Sequence, residues 1–302
     1  MAGFKNFRAL RAAQPEGRKF MSIFRKNTSA VSNSLEWADL TRQPGNPAPF
    51  YYASTPLVFA PMAQSTHGGI RHGNPVSPAK KHLKALRWWG QANAHMSGLL
   101  VDILGYVPFI PEDDPGVEQV IDFTTNAKPA RWGDGDNIVA YLEIAAPHSL
   151  VANNRAVITY TNSAGVAGRV SNSSPMQVAI PTNGAMRLRS TGADSVSSHL
   201  GFFFSLQDND SGIRSVESFR LDGAGDVGLV TMVFARIVAD FPPLPGGINT
   251  VLPIQWNETA FGGPGMPHLP VVEDDAYLSM IFNIQTGTLA PLIGQAEFIW
   301  ST

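Results

Sequence analysis

Beyond about residue 83, apolar and polar side chains alternate with a period of two in several runs. That spacing predicts strands, because successive strand residues point to opposite faces. Ile138, Ala140, Leu142 and Ile144 share one face of a run whose other face holds Val139, Tyr141 and Glu143. Residues 227–238 alternate two apolar faces, with Val227, Leu229, Val233 and Ile237 on one and Val230, Met232, Phe234 and Val238 on the other. Leu278, Met280, Phe282 and Ile284 line one side of a further run, Ala296, Phe298 and Trp300 line one side of the next, and Arg187 and Arg189 alternate with Met186 and Leu188. Clusters of Gly, Asn and Asp at 133–136, 162–165, 208–212, 222–226 and 262–267 separate the runs and supply turn chemistry. Turn signals recurring at roughly 10–20 residues predict an all-β domain, a jelly-roll-like β-sandwich over 91–302. Residues 79–104 fit neither the helical nor the strand pattern cleanly.

The first 90 residues follow a different pattern. Within 1–26, Phe4, Phe7, Leu10, Phe20, Ile23 and Phe24 are interleaved with Lys5, Arg8, Arg11, Arg18, Lys19, Arg25 and Lys26, and Pro15 with Gly17 interrupts any continuous helix. These apolar residues are too few for a core of their own and suit anchors on a partner. Residues 41–80 hold seven prolines, which fix φ and remove backbone donors, so the stretch cannot pair deeply in a sheet. Its Phe50, Tyr51, Tyr52, Leu57, Val58 and Phe59 are too apolar for a free linker. The expected organisation is a basic N-terminal arm over 1–45, a Pro/Gly-rich extended strap over 46–90, and the sandwich beyond. Trp88 and Trp89 are expected to pack where the arm enters the sandwich.

Charge sharpens this division. Residues 1–90 carry 13 of the 22 Lys/Arg and only 3 of the 24 Asp/Glu, a net of +10, which leaves the remainder at −12. Such a split points to an arm that meets an acidic surface and a body that does not. Charged residues make up only 15% of the chain, against about 25% in ordinary globular proteins, so part of the exterior is expected to be covered by partners. The chain has no cysteine, which removes disulfides, thiolate metal sites and thiol nucleophiles and suits a reducing compartment. No apolar run is long enough to span a bilayer.

Candidate chemistry is sparse. The 208–212 segment DNDSG starts like a calcium loop, but Gly212 occupies the third ligand position and Ile213 the position that requires glycine, so it reads as a polar turn. None of the seven histidines has the spacing of a helical metal site; His67 and His72, in the Gly-rich strap, are the two with any claim to a metal. The carboxylate pairs Asp113-Asp114 and Asp274-Asp275 read as turn residues at strand starts. No nucleophile elbow, phosphate loop or dinucleotide fingerprint is present. The expectation is a non-enzymatic protein with no catalytic residues, no cofactor and no metal.

Four stretches carry a resemblance: LGYVPFIPEDD from Leu104 with VEQVID from Val117; ITYTNSAGVAGR from Ile158 to Arg169; SGIRSVES from Ser211 to Ser218; and DAYLS from Asp275 with QAEFIW ending at Trp300. Together these resemble tailed-bacteriophage virion proteins of the capsid decoration (cement) or minor capsid kind. The resemblance covers about residues 100–300 and leaves out the basic, Pro-rich segment. It implies a jelly-roll or sandwich domain assembled on a capsid lattice as a homotrimer, with the major capsid protein as partner. The protein would be made in the host cytoplasm and carried on the virion surface. Apolar residues on both faces at 227–238, with the low charge content, point the same way on self-association. The expected capsid contacts are Phe4, Lys5, Phe7, Arg8, Arg11, Arg18, Lys19, Phe20, Phe24, Arg25 and Lys26. Nucleic-acid phosphates are a second possible partner for this basic, aromatic arm; a membrane is not expected. The alternative from another class is a phage tail or fibre component whose β domain binds host carbohydrate.

Overall fold

The computed structural model describes residue 4 and residues 7–27, 36–90, 96–146, 155–175, 188–189, 202–223, 228–241, 269–284 and 292–301. Ten strands of four or more residues organise them: β1 (Lys19–Lys26), β2 (Glu36–Asp39), β3 (Lys81–Gly90), β4 (Met96–Pro111), β5 (Ile138–Ala146), β6 (Arg155–Asn162), β7 (Ile213–Asp222), β8 (Leu229–Phe241), β9 (Tyr277–Ile284) and β10 (Leu292–Trp300). Helix among these residues is confined to Phe7–Ala13, Gln64–His67 and one 3₁₀ turn, Ala130–Trp132, none of them long enough to cross a membrane. The molecule is an all-β sandwich, as its periodicity predicts.

A seven-stranded central sheet runs Leu188–Arg189, β5, β8, β4, β9, β2, with Ala60–Pro61 added to β4. Two smaller sheets lie on one of its faces. In the first, β6 and β7 pair between short edge segments. In the second, β10 lies between β3 and β1. All of these strand pairs are antiparallel.

The central strands are buried on both faces, which explains their near-continuous apolar sequence. Leu104, Ala140, Leu142, Met232 and Phe234 meet Ile158, Tyr160, Val216 and Phe219 of the β6–β7 sheet in one core. Leu100, Leu278, Met280 and Phe282 meet Phe24, Leu83, Leu86, Ala296 and Phe298 of the β1–β3–β10 sheet in a second. The opposite face (Leu99, Val101, Ile103, Tyr141, Val233 and Ile281) is covered by Tyr52, Ala60 and Met62 of the Pro-rich strap together with Trp37 and Phe202. Of the apolar double face at 227–238, read as a sign of self-association, Val230, Met232, Val233 and Phe234 are buried within this chain, whereas Ile237 is exposed and Val227 lies outside the described residues.

Two glycines make the packing possible. A Cβ on Gly105 would lie 2.4 Å from the Phe59 ring, and one on Gly294 would lie 1.9 Å from Phe24 Cζ. Only glycine lets those rings sit against the strands.

Between residues 41 and 80 only Gly45–Asn46 and Ala60–Pro61 pair with strands, as the prolines dictate, but the last part of the expected 46–90 strap, Lys81–Gly90, is strand β3 and pairs with β10. The stretch 79–104, which sequence alone leaves open, holds β3 and the start of β4. Trp88 and Trp89 lie in β3, but their side chains fall outside the described residues.

The main departure from expectation concerns the arm. The two strands described within residues 1–45 do not stand apart from the sandwich. β1 pairs with β10 along its whole length, from Lys19↔Ile299 to Lys26↔Leu292. β2 pairs with β9, and Trp37, Asp39 and Leu40 are buried. Basic residues occupy this segment because one of its faces looks outward, not because it lies outside the domain.

Candidate functional site: the two faces of the N-terminal strand

The burial of β1 alternates strictly. Phe20, Ser22, Phe24 and Lys26 turn toward the interior, whereas Lys19, Met21, Ile23 and Arg25 turn to solvent. Phe24 is fully packed in the second core, with Phe20 at its margin. Lys26 is buried because its aliphatic stem crosses the core and its ammonium donates to the carbonyls of Gln43 (3.1 Å) and Pro47 (2.8 Å). Burial lowers its pKa to about 8, opposed by the charge of Asp39. Of the residues expected as partner contacts, Phe24 and Lys26 are thus buried in the interior, and Phe20 is half-buried at its margin.

The other expected contacts divide between the two roles. Phe4 packs its ring on His82 of β3, centroids 5.6 Å apart. Arg18 pairs with Glu16 and donates to the Trp300 carbonyl. Arg8 and Arg11 are exposed on the Phe7–Ala13 helix. Lys5 and the Phe7 side chain lie outside the described residues. Lys19 and Arg25 remain in solvent, flanking two residues that sequence reading had not separated from the rest: Met21, 52% exposed, and Ile23, 64% exposed. On the neighbouring strands, Glu297 is engaged by Lys84 at 2.6 Å, and Gln295 faces both Met21 and Arg87. Among the described residues, the uncompensated charge on this face is positive, from Lys19, Arg25 and Arg87.

The rest of the polar interior holds the strap in place. Asp39 is fully buried and accepts from Thr41 N–H (2.7 Å), Tyr52 O–H (2.7 Å) and Tyr141 O–H (3.1 Å), tying β2, the strap and β5 together. Beside it, buried Glu143 takes Arg42 at 3.0 Å; burial, with the nearby Asp39 charge, raises its pKa to about 8 against the pull of Arg42. His72 is buried between Lys81 Nζ, which donates to Nδ1 at 3.0 Å, and the Ala276 carbonyl, 2.9 Å from Nε2. Burial and Lys81 depress its pKa to about 4, so a neutral ring accepts from Lys81 and donates to Ala276. His67 binds back to Ala63. Among the described residues no group of three His, Asp or Glu side chains converges as metal ligands.

The carboxylate pair Asp274-Asp275 lines an open cleft of about 850 Å³ with His67 and Arg131. Asp274 accepts the backbone N–H groups of Val76 and Ser77, and Asp275 accepts Ser65 N–H. These carboxylates clamp the strap. Asp210, in the 208–212 turn, accepts from Tyr160, Asn162 and Arg169 and closes the end of the β6–β7 sheet. None of these partnerships is readable from sequence, because each joins residues far apart in the chain.

No family model matches the chain, and no curated protein matches it. Among solved structures it is similar to the crystal structure of the infectious bursal disease virus VP2 subviral particle, at 9% identity over 93% of this chain and 80% of that one, with a TM-score of 0.20. It is also similar to T=1 particles derived from infectious bursal virus, at 9% identity over 93% and 77%, with a TM-score of 0.18. Similarities at this level carry no argument about the chain.

Proposed function

We propose that this chain is a virion structural protein of a tailed bacteriophage that attaches to the capsid lattice and stabilises it, without catalysing a reaction. The observation that carries the reading is the outward face of β1, where Lys19, Met21, Ile23 and Arg25 form a cationic, part-apolar surface on a strand whose other face is locked into the core. A partner gripping this strand pulls on the sandwich itself and not on a loose tail. The charge division, +10 over residues 1–90 against −12 beyond, favours an acidic partner surface on that side. The stretches from Leu104 to Trp300 that resemble decoration and minor capsid proteins supply the class. Repeated copies on a lattice multiply modest contacts into firm attachment through effective concentration.

The test is quantitative mass spectrometry of purified virions followed by a cryo-EM map. The expected result is the chain in stoichiometric copies, with its sandwich seated against the capsid lattice. Its absence from purified virions, or its presence only in the tail, would refute the reading.

A further inference from the structure

Strand β1 has an open edge as well as an open face. Its pairing with β10 places Arg18 opposite Trp300, joined through Trp300 N–H and the Arg18 carbonyl. The backbone groups of residues 18, 20, 22, 24 and 26 therefore point toward β10, and those of 19, 21, 23 and 25 point away. On the outer side, Arg25 and Lys26 are paired with Gly45–Asn46, and the Asn46 side chain donates to the Ile23 carbonyl. Beyond that point the pairing stops. Among the described residues, the N–H groups of Lys19, Met21 and Ile23 and the carbonyls of Lys19 and Met21 have no hydrogen-bond partner.

Natural proteins shield such edges with charge, and Lys19 and Arg25 are placed to do so. Shielding does not call for Met21 and Ile23 standing more than half exposed between them. An open ladder, two apolar side chains on one face and a cation at each end make up the features of a strand-addition site.

Building on the capsid-attachment reading, we propose that the outer edge of β1 from Lys19 to Ile23 accepts an extended segment of the partner protein as an added strand, one whose outward-facing positions hold two apolar residues flanked by carboxylates. The backbone of the incoming strand pairs with Lys19, Met21 and Ile23. On the outward face its two apolar side chains lie beside Met21 and Ile23, and the carboxylates that flank them lie beside Lys19 and Arg25. A second copy of β1 is the poorer occupant, since two such strands bring like cations together, which is unfavourable across a strand pair.

The probe is the synthetic heptapeptide Glu-Thr-Val-Thr-Val-Thr-Glu, whose glutamates and valines share one face, with a counterpart carrying lysine in place of both glutamates, added to the full chain. Amide exchange by NMR and fluorescence anisotropy are the readouts. The expected result is selective protection of the Lys19, Met21 and Ile23 amides by the glutamate peptide, with the lysine peptide at least about tenfold weaker. Met21→Pro should abolish binding with the melt preserved, because its lost N–H points outward and proline is tolerated at a strand edge. Lys19→Glu with Arg25→Glu, both fully outward, should reverse the preference in favour of the lysine peptide. No protection at the three amides, equal binding of both peptides, or binding unaffected by both variants would overturn the proposal. The same variants on virions separate the two readings. A protein that decorates particles with wild-type occupancy despite both variants keeps the function and loses the strand addition. Edge binding of the peptide by a protein absent from virions does the reverse.

Discussion

The two small sheets cover the same face of the central sheet, yet they are assembled from very different stretches of chain. The β6–β7 sheet joins residues such as Tyr160 and Val216, 56 positions apart. The β1–β3–β10 sheet joins Lys19 to Ile299 across 280. Each of the two cores seats a phenylalanine against a glycine, Phe59 of the strap on Gly105 of β4 in one and Phe24 of β1 on Gly294 of β10 in the other. The packing solution is shared; the loop that must close is not. A segment that looks like an appendage by composition is a structural member of the second sheet, and removing it should be felt throughout that core.

The comparison is broken most severely by deleting residues 1–27. We expect loss of the cooperative melt and of the near-ultraviolet dichroism, since a whole strand and Phe24 leave the core. A truncated chain that still melts cooperatively would show that the second core closes without β1. Next in size, Phe24→Ala in one core and Phe219→Ala in the other should each cost about 3–5 kcal/mol in denaturant unfolding. A cost below about 1 kcal/mol at Phe24 alone would show that β1 is only loosely docked. Gly294→Ala should destabilise by about 1–3 kcal/mol through overpacking against the Phe24 ring.

A smaller effect lies in pH. Glu143 titrates at about 8 in the folded chain, above the ordinary value of 4.5. Across that interval the native state holds the extra proton, so this group makes stability fall as pH rises. His72, lowered from 6.5 to about 4, acts in the opposite direction, with stability rising over 4 to 6.5. Asp102, raised by burial to about 6, is finished below that upper limit. Lys26, lowered by burial to about 8, makes stability rise from there upward, so Glu143 dominates the window from about 6.5 to 7.5. The melting temperature should decline there in the wild type and stay flatter in Glu143→Gln; an unchanged slope in the variant would assign the decline elsewhere. Smallest of all, Met21→Ser with Ile23→Ser should change stability by no more than about 0.5 kcal/mol, because both side chains are exposed. A larger loss would mean that this face is covered in the free protein.

Most of the fold was readable where alternation is clean. The runs at 138–144, 278–284 and 296–300 lie in strands, and so does the run at 227–238 from Leu229 onward. β1 was not recognised because its pattern is inverted: the inward set includes Ser22 and Lys26, and the outward set includes Met21 and Ile23. A period of two is present in its burial but not in its hydrophobicity. β2 escaped for a related reason, since buried Asp39 is polar and finds its three donors in Thr41, Tyr52 and Tyr141. The strap was legible from its prolines and aromatics. The acid pairs that fasten it, Asp274 to Val76 and Ser77 and Asp275 to Ser65, were readable as turns but not as clamps. Of the candidate site, the cations at 19 and 25 were foreseen, whereas the separation of Phe20, Phe24 and Lys26 from Met21 and Ile23 depends on which way each side chain points.

The pairing of β1 with β10 also sets an order of events during synthesis. At ribosomal rates of about 5–20 residues per second, the 280 residues between Lys19 and Ile299 take roughly 14–56 s to make. Throughout that interval Phe20 and Phe24 have no strand to join, while the sheet of β6 and β7 can already form on β4, β5 and β8. The nascent chain therefore has a half-finished stage, with one core built and a sticky strand waiting. The cations spaced along 18–26 keep that waiting strand in solution until its partner emerges.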